Sequence, residues 1–517
     1  MATRGMKLIQ SEQSDLLTQH AVPKSNSTLI LGVDIGSSGL KAVLLDVERG
    51  IRATVSESLA LYNENTGWAE ADTNEWWQSL CIAIPKLIAE AKCKNADISA
   101  IAISGMVPAV VISDENGQAL RRAILQNDAR ATNEIEELAK KLEGLDLLSL
   151  TGSMLTQQSV APTALWLSRN ESEIWKQTKF ISGSYDWMAM RLGARPHVER
   201  NWAIESGLYG WDKQPIDSVL KATSISWPDL LVPQDPGSQV GEVSNEAAIE
   251  TGLQAGMAIY VGGADHVLSA YGAGLNSHGD CLIKLGGAGD ILAVSDEFFI
   301  DSRLYLDAHP IPGKWLPNGC MATSGSLLRW EQKLFKDVDL GTLDSEAQNS
   351  EAGALLVLPY FLGEKSPLHD PNLRGVISGL HLGTTRGDIH RSFLEAIAYG
   401  FKQHFQIFAE RSLIVKNPKV TNGGSKSRLW REILADVLDK NLTSIINHPG
   451  ASFGAAVVAG IGSGAISDWS YVDGALEKGE IIEPNEGNKA RYQERYEMYL
   501  ELQTSTREIS HKLARTN

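Results

Sequence analysis

Four glycine-rich segments of the 517-residue chain carry residue types that suit phosphate binding and the activation of a hydroxyl group. The first is DIGSSGLK, residues 34–41, in which a carboxylate at a strand end precedes glycine and hydroxyl residues. Asp34 is suited to hold Mg²⁺, directly or through water, while amides of the 36–39 turn and Lys41 can face phosphate oxygens. Asp-x-Gly is also common in ordinary hairpin turns, and this segment alone does not decide between the two interpretations.

The second segment is GGADH, residues 262–266, where two glycines lead from a buried strand to a carboxylate. A hydroxyl group is a poor nucleophile until a base removes its proton, and one carboxylate is sufficient for this. Asp265 is therefore a candidate general base. It is also suited to cap the helix that follows, and the two roles are compatible.

Two further turns have the same glycine-rich character: LGGAGD at residues 285–290 and NGGSKSRLW at residues 422–430. Glycines in the first turn allow the backbone to approach phosphate groups closely. In the second turn, Gly-Gly before a helix offers the helix N-terminus to a nucleotide. Each segment also has a purely structural interpretation: the first as an ordinary hairpin turn, and the second as a loop before a capped helix.

Buried strands are predicted to position these segments. Thr28–Asp34 and Leu40–Asp46 are apolar runs on either side of IGSSG, which predicts an antiparallel β-hairpin rather than the strand-to-helix passage of a P-loop. Cys281–Leu285 and Ile291–Ser295 flank GGAGD in the same way, so we predict an internal duplication of the hairpin. Ala258–Gly263 is the buried strand that precedes the candidate base.

Helical patterns and the absence of a long Pro- or Ser-rich linker indicate how the chain divides. Residues 73–93 are predicted as a helix with Thr73 as N-cap. The helix predicted over Ser452–Ala465 is rich in Gly and Ala and must approach another backbone closely. We predict a flexible tail at 1–27, two domains around a cleft at 28–257 and 258–485, and a C-terminal helix at 486–517.

Composition excludes several classes of protein. The net charge of −16, without clustered Lys and Arg, argues against a nucleic-acid or anionic-membrane partner. The four cysteines form no CxxC pair, which favours reduced thiols in a cytosolic enzyme. The chain contains no uninterrupted apolar run long enough to span a bilayer, and we expect a cytoplasmic location.

Taken in order, these segments resemble the FGGY family of carbohydrate kinases, in its xylulokinase-like branch. The resemblance runs from about residue 28 to residue 480. It includes GWAEADTNEWW (67–77), the region 103–130 ending in QNDAR, GGADHVLSAYGAG (262–274), LPYFLGEKSPLHDPNLRG (358–375) and GVISGLHLGTTRGDIHRSFLEAIAYG (375–400). It implies an α/β protein with two ribonuclease-H-like ATPase domains of the actin/hexokinase/Hsp70 type, which close over a central cleft.

The resemblance also implies roles for individual residues. Asp265 falls at the position of the catalytic base, and Asp34 at that of the acidic residue that helps to hold the metal. The implied nucleotide-binding positions are Gly36, Ser37, Ser38 and Lys41 in the first hairpin, Gly286 and Gly287 in the second, and Gly325, Gly424 and Arg428 beyond them. The implied substrate-binding positions are Met106, Gln126, Asp186 and His266. ATP, Mg²⁺, a small sugar or polyol and a homodimeric state are expected on the same basis.

Several residues depart from the family pattern. Gly287 stands where threonine is usual, so a hydroxyl contact to phosphate is missing. Xylulokinases tend to carry Gln-Met-His-Gly where this chain has residues 106–109, MVPA, and tryptophan where it has Gln126. His266 replaces an asparagine that often follows the catalytic aspartate, and either contacts the ligand or is satisfied within the cleft wall. We therefore expect a ketose or polyol acceptor other than D-xylulose.

Two alternatives remain open at this stage. A non-catalytic, actin-like regulatory module would tolerate Gly287, although it would not need both Asp34 and Asp265. A kinase for glycerol, a sugar acid or a signalling sugar would share the same motifs, and the acceptor cannot be read from residues 104–130.

Overall fold

Two mixed β-sheets organise the computed structural model, which describes residues 28–516. The predicted tail at 1–27 lies outside the described residues. The first sheet has six strands, in spatial order Gln239–Glu242, Ala258–Ala264, Ile98–Gly105, Leu29–Ile35, Gly39–Asp46 and Gly50–Ser58. The second has seven, in the order Tyr305–Ala308, Trp315–Met321, Gly289–Ala293, Cys281–Leu285, Lys419–Thr421, Leu442–Ile445 and Lys478–Ile482. Short strands pair in twos: Glu70–Ala71 with Ala123–Ile124, Val111–Ser113 with Phe180–Ser182, Val198–Glu199 with Pro233–Gln234, and Leu356–Leu358 with Val376–Ser378.

Helices fill the connections between the strands. Those before the second sheet are Thr73–Ala91, Thr132–Lys141, Leu147–Thr151, Val160–Asn170, Ser172–Gln177, Ser184–Leu192, Arg200–Glu205, Asp217–Thr223, Asn245–Thr251 and Asp265–Gly272. The later ones are Gly325–Leu334, Leu340–Ala347, Arg386–Glu410, Arg428–Leu438, Ala451–Gly462, Tyr471–Gly474 and Glu486–Thr516, and two 3₁₀ turns cover Asn95–Asp97 and Gly423–Lys426. No helix within residues 28–516 is both long and apolar enough to cross a bilayer.

The predicted duplication is present in both sheets. In the first, the antiparallel hairpin Leu29–Ile35/Gly39–Asp46 pairs in parallel with Ile98–Gly105, which pairs in parallel with Ala258–Ala264. In the second, the antiparallel hairpin Cys281–Leu285/Gly289–Ala293 likewise continues through two parallel strands. Each sheet therefore has the same core topology, and we call the parts built on them the first and second domains. The mixed α/β architecture confirms the predicted fold class.

Close backbone packing explains the Gly/Ala composition of the helix Ala451–Gly462. A Cβ at Gly32, in the first strand, would overlap the carbonyl oxygen of Ser452, and a Cβ at Gly454 would overlap that of Leu268. The helix thus lies directly against the first sheet and against the helix Asp265–Gly272, as its composition predicted. A segment late in the chain is consequently part of the first domain.

Two expectations about local structure were wrong. The strand Ala258–Ala264 was expected to begin the second domain, yet it pairs with Ile98–Gly105 inside the first sheet. The reason is close packing, because a Cβ at Gly262 would overlap the carbonyl oxygen of Ile103. The N-cap of the helix Thr73–Ala91 is Asp72 rather than Thr73, since the Asp72 side chain accepts a hydrogen bond of 2.8 Å from the amide of Asn74.

Candidate active site

The two carboxylates singled out in the sequence meet at one edge of the first sheet. Asp34 lies opposite Ser104 in the parallel pairing of their strands, and Gly263 lies opposite the same Ser104 on its other side. The carboxyl ends of parallel strands share one edge, where ligands of α/β proteins bind. Asp265 follows this strand end directly, so the register brings it to the neighbourhood of Asp34.

The electrostatics of Asp34 agree with this arrangement. Burial raises the pKa of Asp34 to about 7, and the charge of Asp265 raises it as well, whereas the charges of Lys41 and Lys284 oppose the change. Lys284 belongs to the second domain. The site therefore joins both domains, with two acidic and two basic side chains within electrostatic range.

Asp265 is the first residue of the helix Asp265–Gly272, and Ala264 is its N-cap. The side chain of Asp265 is 37% exposed, and its Oδ1 accepts a hydrogen bond of 2.6 Å from the amide of His266. A helix N-terminus stabilises negative charge. The carboxylate is thus fixed by the backbone while part of it stays accessible for proton transfer.

The first hairpin presents its turn and one lysine. The turn is closed by the amide of Gly36, which donates to the carbonyl of Gly39 at 2.9 Å, and both Ser37 and Ser38 are exposed. Lys41 lies directly opposite Asp34 in the hairpin register. Its Nζ donates to the carbonyl of Pro449 at 3.2 Å, which ties the hairpin to the start of the Gly/Ala-rich helix.

The second hairpin is joined to the helix Gly325–Leu334. The amide of Gly325 donates to the carbonyl of Gly286 at 2.8 Å, and the amide of Ser326 donates to that of Gly287 at 3.0 Å. A Cβ at Gly325 would lie only 2.6 Å from the Gly286 carbonyl oxygen, so this close approach requires glycine. The hairpin turn and the start of this helix therefore form one rigid glycine-rich surface.

The segment 422–430 divides into two parts. Gly424 packs on the second hairpin, since a Cβ there would lie 2.7 Å from Cβ of Leu285. Arg428 instead points to the surface, where it pairs with Glu432 at 2.8 Å and Glu480 at 3.1 Å. Gly424 therefore lies at the second hairpin as expected for a nucleotide contact, whereas Arg428 pairs with acidic residues at the surface.

A cavity of about 540 Å³ lies between the domains and next to these groups. Most of the residues in its wall are polar or charged. The first domain contributes Val107, Thr151, Gly152, Ser153, Thr156, Gln157, Gln158, Glu205 and His266. The second contributes Lys284, Asp290, Leu292, Tyr305, Leu306, Asp307, Asn318, Gly319, Cys320, Glu364, Lys365, His369 and Pro371. The volume suits a small polar ligand.

Comparison with known proteins decides the family. Residues 29–272 match the family model "FGGY family of carbohydrate kinases, N-terminal domain", and residues 301–463 match the corresponding C-terminal domain. The chain belongs to the FGGY family of carbohydrate kinases. It is accordingly a phosphotransferase that acts on sugar hydroxyl groups, and the resemblance seen in the sequence is confirmed.

Relatives of this carbohydrate kinase carry several names. A xylulose kinase from Staphylococcus epidermidis is 29% identical over 93% of this chain and 98% of its own length. A gluconokinase from Bacillus subtilis is 23% identical over 92% of this chain and 96% of its own. The crystal structure of xylulose kinase from Rhodospirillum rubrum is 35% identical, with a TM-score of 0.88, and covers 93% of this chain and 100% of that one. These comparisons also confirm the two-domain ATPase fold.

The four residues expected to bind substrate lie in different surroundings in the kinase. His266 lines the cavity, whereas Met106 is buried and its neighbour Val107 lines the wall instead. Gln126 has a buried Oε1 without a hydrogen-bond partner in the described part of the chain. Asp186 is not among the residues of the cavity wall. Its carboxylate accepts hydrogen bonds from the backbone amides of Gly183 and Glu199, so it stabilises the local backbone.

Four residues of the site were missed in the sequence. Lys284 is buried, lines the cavity and acts electrostatically on Asp34. Arg329 lies over the second hairpin, since a Cβ at Gly287 would be 2.9 Å from its guanidinium. Glu205 and Asp307 also line the cavity. The available signal was the pair Lys284 and Asp290, which lie opposite each other on the two strands of the second hairpin as Asp34 and Lys41 do in the first.

The surroundings of Asp34 fit a divalent cation. Its Oδ1 is buried and has no hydrogen-bond partner among residues 28–516. A buried carboxylate oxygen without a partner is costly, and a cation would compensate it. Carboxylate oxygens beside phosphate groups are the ligands that Mg²⁺ prefers. Asp34 is therefore the residue of this kinase that best fits the expected metal.

Proposed function

We propose that this kinase transfers the γ-phosphoryl group of ATP to a hydroxyl group of a neutral ketose or polyol, with Asp265 as the general base. One observation carries the proposal: Asp34 and the strand end that leads to Asp265 lie on either side of Ser104 at one sheet edge, and His266, next to Asp265, lines the cavity. The two acids are assigned different roles, because the Oδ1 atom of Asp34 is buried without a hydrogen-bond partner in the described chain, whereas the side chain of Asp265 is 37% exposed.

In this mechanism, Asp265 accepts the proton of the acceptor hydroxyl while the hydroxyl oxygen attacks the γ-phosphorus. The bond from the γ-phosphorus to the bridging oxygen breaks, and ADP leaves. Positioning and charge stabilisation supply most of the rate enhancement in such reactions. The amide of His266 and the helix N-terminus hold the Asp265 carboxylate in place for this step.

The nucleotide is proposed to lie along the two hairpins. Gly36, Ser37, Ser38 and Lys41 would contact phosphate oxygens from the first domain. From the second domain the corresponding contacts would come from Gly286, Gly287 and Gly325, with Gly424 alongside. Asp34 would hold Mg²⁺, which neutralises phosphate charge when bound.

A neutral acceptor is favoured over a sugar acid. The cavity wall near the base carries Glu205 and Asp307, and its nearest cation, His266, is already paired with Asp307 at 2.8 Å. An acidic substrate would lie beside these two acidic side chains, and the charge of His266 is already compensated by Asp307. The relative named gluconokinase keeps the sugar acid as the second candidate, and Lys365, an exposed residue of the wall, is the group that favours it.

The departures from the xylulokinase pattern support an acceptor other than D-xylulose. Val107 lines the wall next to Pro108, which stands where that pattern has a histidine, so the polar side chain of that pattern is absent here. A coupled ADP-release assay with D-xylulose, D-ribulose, xylitol, ribitol, glycerol and D-gluconate tests this. D-xylulose as the best acceptor would contradict this part of the proposal.

The base is tested by Asp265→Asn. General-base catalysis contributes about 10²- to 10⁴-fold, so kcat should fall by that factor. Binding of a non-hydrolysable ATP analogue, measured by calorimetry, should persist. Asp217→Asn, at an exposed residue paired with Lys221, is the matched control and should retain normal turnover. Near-normal kcat in Asp265→Asn would refute the assigned role.

A non-catalytic, actin-like module was the other interpretation left open by the sequence, and membership of the family of carbohydrate kinases argues against it. It would bind nucleotide yet release no ADP with any acceptor of the panel. The partly exposed carboxylate of Asp265 beside a polar cavity argues against it, because a binding module has no use for an accessible base.

A further inference from the structure

Three polar side chains form a cluster in the cavity wall next to the candidate base. One ligand atom from each of Glu205, His266 and Asp307 lies within 4.8 Å of the others. They come from separate parts of the fold: the helix Arg200–Glu205, the start of the helix Asp265–Gly272 and the edge strand of the second sheet. We call these three residues the acidic wall. It adjoins the base directly, because His266 follows Asp265.

The acidic wall spans both domains and is held by direct contacts. His266 Nε2 and Asp307 Oδ2 are 2.8 Å apart, and the side chain of Asn318 donates to the same Oδ2 at 2.8 Å. Asn201, one turn before Glu205, exchanges two hydrogen bonds with the backbone of Ala308, at 2.9 and 2.8 Å. The position of Glu205 relative to Asp307 is therefore fixed by packing before any ligand binds.

Within this wall, Glu205 is the side chain with unused hydrogen-bonding capacity. Its Oε1 is buried and has no hydrogen-bond partner in the described chain, while the residue lines the cavity. Burial and the charge of Asp307 hold the pKa of Glu205 well above its usual range. A buried polar atom without a partner costs free energy that a ligand hydroxyl would recover. A carboxyl group can both donate to and accept from such a hydroxyl.

We propose that Glu205 is a specificity-determining residue that hydrogen-bonds an acceptor hydroxyl near the one that is phosphorylated. The paired side chains of His266 and Asp307 form the rest of the acidic wall. The ligand class is a neutral molecule with hydroxyl groups on neighbouring carbons. This inference rests on the proposed kinase reaction and adds the group that selects its acceptor.

A divalent metal is the competing occupant of the same three residues. His266 would have to release Asp307 in order to offer Nε2 to a metal, since that nitrogen already faces Oδ2. Among the buried side-chain polar atoms of these three residues, Glu205 Oε1 is the one without a hydrogen-bond partner in the described chain. A single open carboxyl oxygen suits a hydroxyl group better than a metal that needs three or four ligands.

Steady-state kinetics with Glu205→Ala and Glu205→Gln test the inference, using the most active neutral acceptor of the six-compound panel. Loss of one hydrogen bond predicts that the acceptor KM rises about tenfold in Glu205→Ala, with the KM for ATP unchanged. Glu205→Gln keeps size and hydrogen-bonding groups and should show a smaller rise. Glu173→Gln, at an exposed residue paired with Lys176, is the matched control.

A third variant gives a readout that a merely structural role would not produce. Glu205→Lys places a cation in the wall and should shift the ratio of kcat/KM for D-gluconate over the neutral acceptor upward by about tenfold or more. Thermal unfolding with and without ATP verifies that each variant is folded.

The outcomes separate the two levels of the proposal. If the wild-type protein releases no ADP with any panel member, the proposed acceptor class fails and this inference with it. If the wild type is active and folded Glu205→Ala keeps its acceptor KM within twofold, Glu205 has no role in selection. Stoichiometric Zn²⁺ binding to the wild type that is lost in Glu205→Gln, together with an unchanged acceptor KM, would overturn the inference in favour of a metal site.

Discussion

The buried histidine His390 supplies a prediction that links stability to nucleotide binding. Its Nδ1 lies 2.7 Å from Glu331 Oε2, and its Nε2 lies 2.9 Å from Asp344 Oδ1. Both carboxylates accept from the protonated ring. Glu331 lies on the helix Gly325–Leu334, whose first amides hold the carbonyls of the second hairpin. His390→Gln should therefore loosen this helix and, through it, the nucleotide surface.

The contribution of His390 to the free energy of unfolding follows from its pKa. Burial lowers this pKa, but the hydrogen bonds to Asp344 and Glu331 outweigh burial and raise it to about 9. Because the folded pKa exceeds the usual 6.5, the contribution to stability is complete below about pH 6 and is lost as pH rises through about 9. The difference between the folded and the usual pKa corresponds to a stabilisation of the folded state by about 3 kcal/mol at low pH and about 1 kcal/mol near pH 8.

The assay is thermal unfolding by circular dichroism between pH 6 and pH 10. The reference is the double variant Glu331→Gln/His390→Gln, which removes the unpaired buried carboxyl that His390→Gln alone would leave. The Tm difference between the wild type and this reference should shrink steadily from pH 7 to pH 9.5. In His390→Gln, the KM for ATP should rise more than the KM for the acceptor. A Tm difference that stays constant over this range would refute the assignment of a charged His390.

Further predictions concern packing, the C-terminal helix and the phosphate site. Gly454→Ala should destabilise the fold by about 1–3 kcal/mol through overlap with a backbone carbonyl, whereas Gly474→Ala, which has open space, should leave the free energy of unfolding unchanged in urea titrations. Arg507→Ala removes a partner 3.0 Å from buried Asp370 and should lower the Tm measurably and raise the acceptor KM, because the adjoining loop lines the cavity. Lys284→Met should raise the KM for ATP about tenfold, while Lys284→Arg should retain most of the affinity. An unchanged KM for ATP in Lys284→Met would place this lysine outside the phosphate site.

The hairpins and the Gly/Ala-rich helix could be predicted from sequence because their signals are local. An apolar run, a glycine turn and a second apolar run fix a hairpin without reference to the remainder of the chain. The strand Cys281–Leu285 has the predicted bounds, and Leu29–Ile35 differs from its predicted bounds by one residue at each end. The tight packing of the helix Ala451–Gly462 likewise followed from residue size alone.

The domain border could not be predicted in the same way. Ala258–Ala264 is an apolar strand of the same appearance as those of the second sheet, and its place is decided by its partner. It pairs with Ile98–Gly105, more than 150 residues earlier in the chain, and Gly262 allows the backbones to approach. Such pairing depends on tertiary packing, which leaves no local mark in the sequence.

The acceptor side of the site was the least predictable part. Glu205 and Asp307 are single acidic residues in short segments, and acidic residues usually lie on solvated surfaces. The hydrogen bonds of Asn201 with the backbone of Ala308, across the two domains, help to bring them together in the wall. Asp186 was expected at the substrate, but its carboxylate accepts hydrogen bonds from backbone amides and it is not among the residues of the cavity wall.

The duplicated hairpins explain why the site needs both domains. In the first hairpin, Asp34 on the leading strand lies opposite Lys41, whereas in the second, Lys284 on the leading strand lies opposite Asp290. The aspartate and the lysine have thus exchanged strands between the two copies of the hairpin. When the copies face each other, Lys284 opposes the effect of burial on Asp34, so that acid meets base across the cleft. Two copies with the same charge order would instead set Asp34 against a second buried carboxylate, which would disfavour closure of the cleft.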